Sequence, residues 1–483
     1  MNWVGGEWTS GSGTFHDVRS PYTGQSLGRV YQSDAGDVDR AVQAATKAAR
    51  EWALIPIKER SQVMYQFRNI LLRDIETIAK CISLESGKRV AEGKAGMMKG
   101  IEVLEFALSL QNLQEGGRME VSRGVNCEYR REPLGVVAAI TPFNFPAMVP
   151  MWMLPIAIVL GNAFVWKPSD KTPFTSLAIA TAAEEAGIPK GILTIVQGGQ
   201  ATVESILDHP GVASVGFVGS SAVARSVYRR AALAGKKVLA LGGAKNPIIL
   251  MPDADLEMAS RGIVDSFTGC AGQRCMAASL LILVEDEAKR GEKILEEVVR
   301  KASQIRLGQD MGAIISEQSV ARLNAAIERA SQVGAKILLD GRNTQAPTGF
   351  EAGYWLGPTV IDHVKPGSEA ACDELFGPVM SVVRVKTLSE ALEIERASPY
   401  GNAASVFTSS GAVAQRVAES AMAGMVGVNI GVPVPREPFS FGGTKDSKFG
   451  SGDITGMGSL NLWSQMKKIT TKWSVSSDQN WMS

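Results

Sequence analysis

From Gly135 onward the chain settles into short apolar runs with helical material between them, and no other feature limits its fold so sharply. Runs at 136–140, 163–166, 193–196, 214–218 and 237–241 read as buried strands. The gaps carry segments such as 175–186, which Gly187 closes. This rhythm predicts a parallel sheet, because parallel neighbours need a crossover long enough to hold a helix. Such a sheet binds ligands beyond the carboxyl ends of its strands. A second α/β series is expected from Pro247, with a strand at 248–251, a helix at 256–267, a strand at 280–284 and a long helix at 285–305. The region 401–428 repeats the idea once more.

Ahead of the sheet, Val38, Ala41, Val42, Ala45, Ala49 and Trp52 recur at helical spacing after Asp34. Val63, Phe67, Ile70, Leu71, Ile75 and Ile78 continue the pattern, and a third helix ends over 102–110; all three are expected to cover the sheet. The uncharged run 147–166 has the length of a membrane span. Pro150, Pro155, Gly161 and Asn162 interrupt it, so it reads as a buried helix leading into a buried strand. Fifty Lys and Arg against 49 Asp and Glu leave a net charge of +1, with no field to draw nucleic acid or an anionic membrane. Cys81, Cys127, Cys270, Cys275 and Cys372 are odd in number and contain no CxxC pair. That argues against a disulfide framework or a structural metal, and for a reducing setting. With no basic-then-apolar leader, a cytoplasmic location is expected. The stretch 460–474 alternates loosely around Trp463, Ile469 and Trp473, and reads as a strand whose edge needs a partner.

The segment FTGCAGQRCMA over 267–277 sets Cys275 after a glycine-bearing turn that follows a helix. A lone cysteine is usually a packed structural thiol, the reading that suits Cys81 and Cys127. A turn exposes Cys275, whereas Cys270 reads as packing rather than as a disulfide partner. Only His16, His209 and His363 are present, none in a GxSxG elbow or an HExxH pair, so a Ser–His hydrolase and a zincin lack their parts. What remains is a cysteine nucleophile on a nucleotide-binding scaffold, suited to attack on a carbonyl and hydride transfer to nicotinamide.

Seven ordered blocks then carry a resemblance to the aldehyde dehydrogenase superfamily: PLGVVAAITPFNFP from Pro133, WKPSDKTP from Trp166, GFVGSSAVA from Gly216, LGGAKN from Leu241, GQRCMA from Gly272, DELFGPV from Asp373 and FSFGGTKDSKFG from Phe439. The resemblance implies a Rossmann-type NAD-binding domain over 1–118 and 140–246, an α/β catalytic domain over 247–440, and a small β-flap over 119–139 and 460–483 that joins a homodimer or homotetramer. It makes Cys275 the nucleophile and Asn144 an oxyanion donor alongside the Cys275 N–H. It places Thr141, Pro142, Phe143, Lys167, Ser169, Asp170, Gly219, Ser220, Leu241, Glu374 and Phe376 around NAD. Lys167 would hold the adenosine ribose, Gly219 and Ser220 the pyrophosphate at a helix start, and Glu374 the nicotinamide ribose. Asp170 would repel a 2′-phosphate, which favours NAD over NADP. Ala224 stands where many relatives have glycine.

Hydrolytic members read ELGGK, with the glutamate activating water, whereas here Leu241 fills that place and a one-residue shift offers only Ala240. Losing such a base typically forfeits ~10²–10⁴ in rate. The wording of LGGAKN and GQRCMA resembles the methylmalonate semialdehyde dehydrogenase branch, which implies CoA as acyl acceptor, loss of CO₂, and a role for Arg274 in orienting the substrate. Lys99 stands where that branch usually has an arginine, and Pro247 where it has a histidine. A non-acylating dehydrogenase using another base such as Glu374 is an alternative, as is a catalytically silent protein on the same fold.

Overall fold

The valines and alanines of Val136–Ile140 form a fully buried central strand in the computed structural model, which describes residues 1–113 and 116–473. Its sheet has the order Glu7–Thr9, Asn2–Val4, Leu193–Ile195, Ala163–Lys167, Val136–Ile140, Val212–Val218, Lys237–Leu241, Lys448–Phe449. The five middle strands are parallel, as the sequence rhythm requires. Both flanks are antiparallel: an amino-terminal hairpin on one side and the short 448–449 strand on the other. Strand order reverses direction on either side of 136–140. The register sets Ile140 beside both Lys167 and Phe217, and Val218 beside Leu241, so the loops after these strands share one edge.

A second sheet of seven strands runs Lys336–Leu339, Thr359–Asp362, Val379–Val385, Leu280–Val284, Pro247–Leu250, Ala403–Phe407, Met425–Val428, and only its first pair is antiparallel. Separate apolar clusters cover it. A third, antiparallel sheet joins Ser464–Lys472 to Val125–Pro133 and Gly116–Ser122.

The helices form where the sequence places them. Ala35–Trp52 opens on a reciprocal capping box between Asp34 and Asp37, and Val38, Ala41, Val42, Ala45, Ala49 and Trp52 are buried along one face. The uncharged run is helix Met148–Val159, with eleven of its twelve residues buried, followed by strand Ala163–Lys167. Arg60 Nε donates to the Val159 carbonyl at 2.9 Å and Trp52 Nε1 to that of Ile158 at 2.8 Å, which satisfies the end of this buried helix. Among the described residues no helix is long and apolar enough to cross a membrane.

Two expectations are corrected. The long helix at 285–305 is shorter, Arg290–Ser303, because Lys289 takes φ 50° and Asp286 accepts the Arg290 N–H, which makes a turn of the first residues. The stretch from 460 is not a strand throughout: Leu460–Trp463 is a helical turn whose Leu460, Leu462 and Trp463 point into the core, and the strand begins at Ser464. Ser474 and the rest of the expected flap to 483 lie outside the described residues. The hairpins Asn2–Val4/Glu7–Thr9 and Phe15–Arg19/Ser26–Tyr31 precede the helices without a sequence signal having marked them.

One buried amide ties these parts together. Asn162 Oδ1 accepts the N–H groups of Leu134 and Gly135, at 2.7 and 3.2 Å. Its Nδ2 donates to the Ala157 carbonyl at 2.9 Å and to that of Trp463 at 2.8 Å. Removing it takes a partner from the Trp463 carbonyl and from the part-buried Leu134 and Gly135 N–H groups, so Asn162→Ala is expected to cost about 3 kcal/mol. A fall in the denaturant midpoint measures this, and an unchanged midpoint contradicts it.

Candidate active site

Helix Leu256–Thr268 runs into a tight turn, Gly269–Gly272, where Cys270, Ala271 and Gly272 take φ of 55°, 51° and 67°. Successive left-handed residues reverse the chain sharply, at a cost for the two that carry a Cβ. At Gly272 space is decisive as well, since a Cβ would meet the Gly377 carbonyl at 2.1 Å. The residues that follow are pinned by side-chain amides. Gln273 donates through Nε2 to Ala313 O at 3.2 Å and accepts the Ile315 N–H at 3.0 Å. The Cys275 carbonyl accepts Asn246 Nδ2 at 2.7 Å and Asn402 Nδ2 at 2.9 Å. Asn246 also donates to Ala277 O and accepts the Ala403 N–H.

Cys275 borders a cavity of about 850 Å³ whose wall includes Phe145, Met148, Trp152, Met276 and Phe441 together with Arg89, Glu92, Lys99 and Arg274. The residue is partly accessible through this cavity yet removed from bulk water. Burial, and then the Glu374 carboxylate, push its thiol up to about 12; its own N–H, Arg274 and Lys88 oppose the shift. The resting sulfur is therefore neutral. Glu374 accepts the Ala244 N–H at 3.0 Å, and burial pushes its carboxyl up to about 7 against that bond, Lys245 and Arg322. Lys245 is buried, its Nζ without a hydrogen-bond partner among the described residues, and burial brings its ammonium down to about 8 against the pull of Glu374.

Asn144 lies at the carboxyl end of the central strand, buried, with Nδ2 donating to Gln273 O at 3.0 Å. One amide hydrogen is thereby spent on the loop that holds Cys275, and the second is left for another acceptor. Arg274 Nη2 donates to the carbonyls of Asp265 and Ser266 at the end of the preceding helix, and its side chain borders the cavity. Lys99 also borders the cavity, tied to Glu102 at 2.8 Å and Glu437 at 3.5 Å. Cys270 is buried and reduced.

The remaining expected residues gather along the carboxyl edge of the first sheet and opposite it. Thr141 Oγ1 accepts Trp166 Nε1 at 2.8 Å, Pro142 is half-buried, and Phe143 stands edge-on to Phe376 at 5.9 Å, the latter at φ 56°. Lys167 Nζ donates to the Gly198 carbonyl at 2.9 Å, and burial lowers its ammonium to about 8 despite Asp170. Ser169 Oγ accepts the Lys171 N–H at 3.2 Å, and the Asp170 carbonyl lies 3.1 Å from His16 Nε2. Gly219 needs correction: its N–H is not free, being donated to Leu241 O at 3.1 Å, while a Cβ there would meet the Phe217 ring at 2.5 Å. The helix Ser221–Leu233 begins after Ser220, whose side chain makes no capping bond, and its first turn holds no acidic residue. Leu241, where a hydrolytic enzyme would carry its base, is a buried hydrocarbon at a strand end.

Sequence reasoning missed the second layer. Asn246 stood inside a quoted block, LGGAKN, without a role. Gln273 stood in another. Asn402, Lys88 and Arg89 gave no signal, since only the folded chain brings them near Cys275.

The sequence profile of the aldehyde dehydrogenase family matches residues 8–469. The chain belongs to that family. Among its relatives is malonate-semialdehyde dehydrogenase 2 of Geobacillus thermodenitrificans, 40% identical over 479 residues, which are 98% of either chain. The enzyme of the same name from Bacillus thuringiensis is 39% identical over 98% of either chain. A crystal structure of methylmalonate-semialdehyde dehydrogenase from Oceanimonas doudoroffii superposes with a TM-score of 0.96 at 36% identity, over 98% of each chain. A Sinorhizobium meliloti protein described as a methylmalonate-semialdehyde dehydrogenase, and complexed with NAD, superposes at 0.97 with 36% identity, over 99% of this chain and 98% of that one.

In this aldehyde dehydrogenase Glu374 disfavours the Cys275 thiolate by charge. Glu374→Gln removes that charge, so the thiol should titrate below about 12. Iodoacetamide should then label Cys275 faster at pH 9, read by mass spectrometry of the peptide containing it. Equal rates in the two proteins would show that the carboxylate does not act on the sulfur.

Proposed function

We propose that this site oxidises malonate or methylmalonate semialdehyde with NAD⁺ and passes the acyl group to CoA, giving acetyl-CoA or propionyl-CoA, CO₂ and NADH. The observation that carries the reading is a cysteine in a cavity with arginines, in a chain whose Leu241, a buried hydrocarbon at a strand end, stands in place of a water-activating base. The names of the relatives agree with it.

The carboxyl edge of the first sheet fits a dinucleotide. A helix start without side-chain cap or first-turn acid, at Ser220, suits a pyrophosphate. Buried Lys167 and Glu374 would hold ribose hydroxyls, with Thr141, Pro142, Phe143, Ser169, Leu241 and Phe376 completing the site. Asp170 brings a negative charge that favours NAD over NADP. When bound, NAD⁺ supplies the acceptor for the two electrons of the oxidation.

The Cys275 sulfur bonds to the aldehyde carbon, and its proton must leave; Glu374, titrating near 7, is a buried carboxylate within electrostatic reach. The free amide hydrogen of Asn144 and the Cys275 N–H receive the developing oxyanion, one such donor being worth ~2.7–4 kcal/mol in the transition state. Arg274 holds the acid end. Without a base at 241 the thioester outlasts water, and a thiol, a few per cent ionised near neutral pH, attacks it instead. The carboxylate β to the thioester carbonyl is the arrangement from which CO₂ departs.

We also infer assembly as a homodimer or homotetramer through the three-stranded flap. Its outer strand Gly116–Ser122 leaves an unpaired edge and exposes Met119 and Val121. Residues 1–118 and 140–246 then serve NAD binding and 247–440 the chemistry. Five free cysteines suit the cytoplasm.

NADH formation with and without CoA is the test. Malonate semialdehyde should give sustained turnover only when CoA is present, and about one NADH per site without it. Cys275→Ala should abolish turnover, and Asn144→Ala should lower kcat about 10²–10³-fold. Sustained turnover without CoA, with a free acid as product, overturns the acylating reading.

A further inference from the structure

Lys99, where resemblance points for the acid end of the substrate, is already engaged. Its Nζ donates to Glu102 at 2.8 Å and lies 3.5 Å from Glu437, so two carboxylates absorb its charge. Three guanidinium groups line the same cavity: Arg436 is largely exposed and 3.6 Å from Glu102, whereas Arg274 and Arg89 are the more enclosed pair with capacity to spare. Arg274 spends Nη2 on two backbone carbonyls, and its Nε is buried without a partner among the described residues. Arg89 has a buried, unpartnered Nε too, and its other contacts are long: 3.5 Å to the Gln309 carbonyl and 3.5 Å to Glu92 Oε1. Glu92 pairs with Arg89 by charge while its oxygens accept shorter bonds, Oε1 from the Cys270 N–H at 2.8 Å and Oε2 from the Arg89 backbone N–H at 3.0 Å, which leaves guanidinium N–H groups open to a further acceptor. The nearby Asp310 is held by Arg306.

We infer that Arg89 receives the substrate carboxylate together with Arg274, and that Lys99 does not. A guanidinium offers paired N–H groups in the plane of a carboxylate, a fit that an ammonium lacks. Phe145, Met148 and Trp152 surround the cavity with apolar surface, in which such a bond gains strength. Through Glu92 the Arg89 segment is also tied to the Gly269–Gly272 turn that leads into the Cys275 segment. The inference rests on an acidic semialdehyde being the substrate.

The test compares malonate semialdehyde with propionaldehyde, a neutral aldehyde of the same carbon count. Arg89→Met should lower kcat/KM for the acid about 10–100-fold, mainly through KM, and leave propionaldehyde within about twofold. Arg89→Lys should fall between, and Lys99→Met should keep the preference for the acid. An unchanged acid-to-neutral ratio in Arg89→Met, an equal loss on both substrates, or a lost preference in Lys99→Met overturns the assignment of Arg89. Wild-type enzyme that oxidises propionaldehyde but not the semialdehyde overturns the functional reading itself, an outcome distinct from these three.

Discussion

Two asparagine amides gripping one carbonyl hold the site together. Asn246 and Asn402 both donate to Cys275 O, and each stands immediately before a strand of the second sheet. Asn246 is also where the chain passes from the last parallel strand of the first sheet to that second sheet. Cys275 is therefore positioned by the junction between the sheets rather than by its own turn. Asn144 adds a bond from the first sheet through Gln273 O. A reacting group needs placement within about half an ångström, and loops rarely provide it unaided. Here the rigid ends of strands do.

Legibility from sequence followed the physics of each feature. The buried parallel strands were readable because both faces are covered, which leaves continuous apolar runs. The amino-terminal hairpins were not, since EWT and FHDVR are largely exposed and carry no apolar face to announce them. Trp463 gave a strand signal by hydrophobicity alone, although the residue is core packing in a helical turn. Of the site, the cysteine, the catalytic-loop asparagine and the absent base were visible as blocks. Asn402, Lys88 and Arg89 were invisible because their roles arise from contacts across long stretches of chain. Gly219 reads in the sequence as part of a helix start facing a pyrophosphate, and only the folded chain shows its N–H donated to the Leu241 carbonyl.

Burial governs the electrostatics of the centre. It is the largest cause acting on Cys275, Glu374, Lys245 and Lys167, and in each it favours the uncharged form. Glu374 and Lys245 thus titrate near neutrality, where small changes in surroundings move a proton. A site that must pass electrons and protons gains from groups poised in this way.

The neutral sulfur also bears on how long the protein lasts. Peroxides attack thiolates, and a thiol that ionises only near 12 offers almost none to attack between turnovers. A thiol that burial keeps protonated is less open to the sulfinic and sulfonic damage that accumulates on permanently ionised cysteines, even though it borders a cavity.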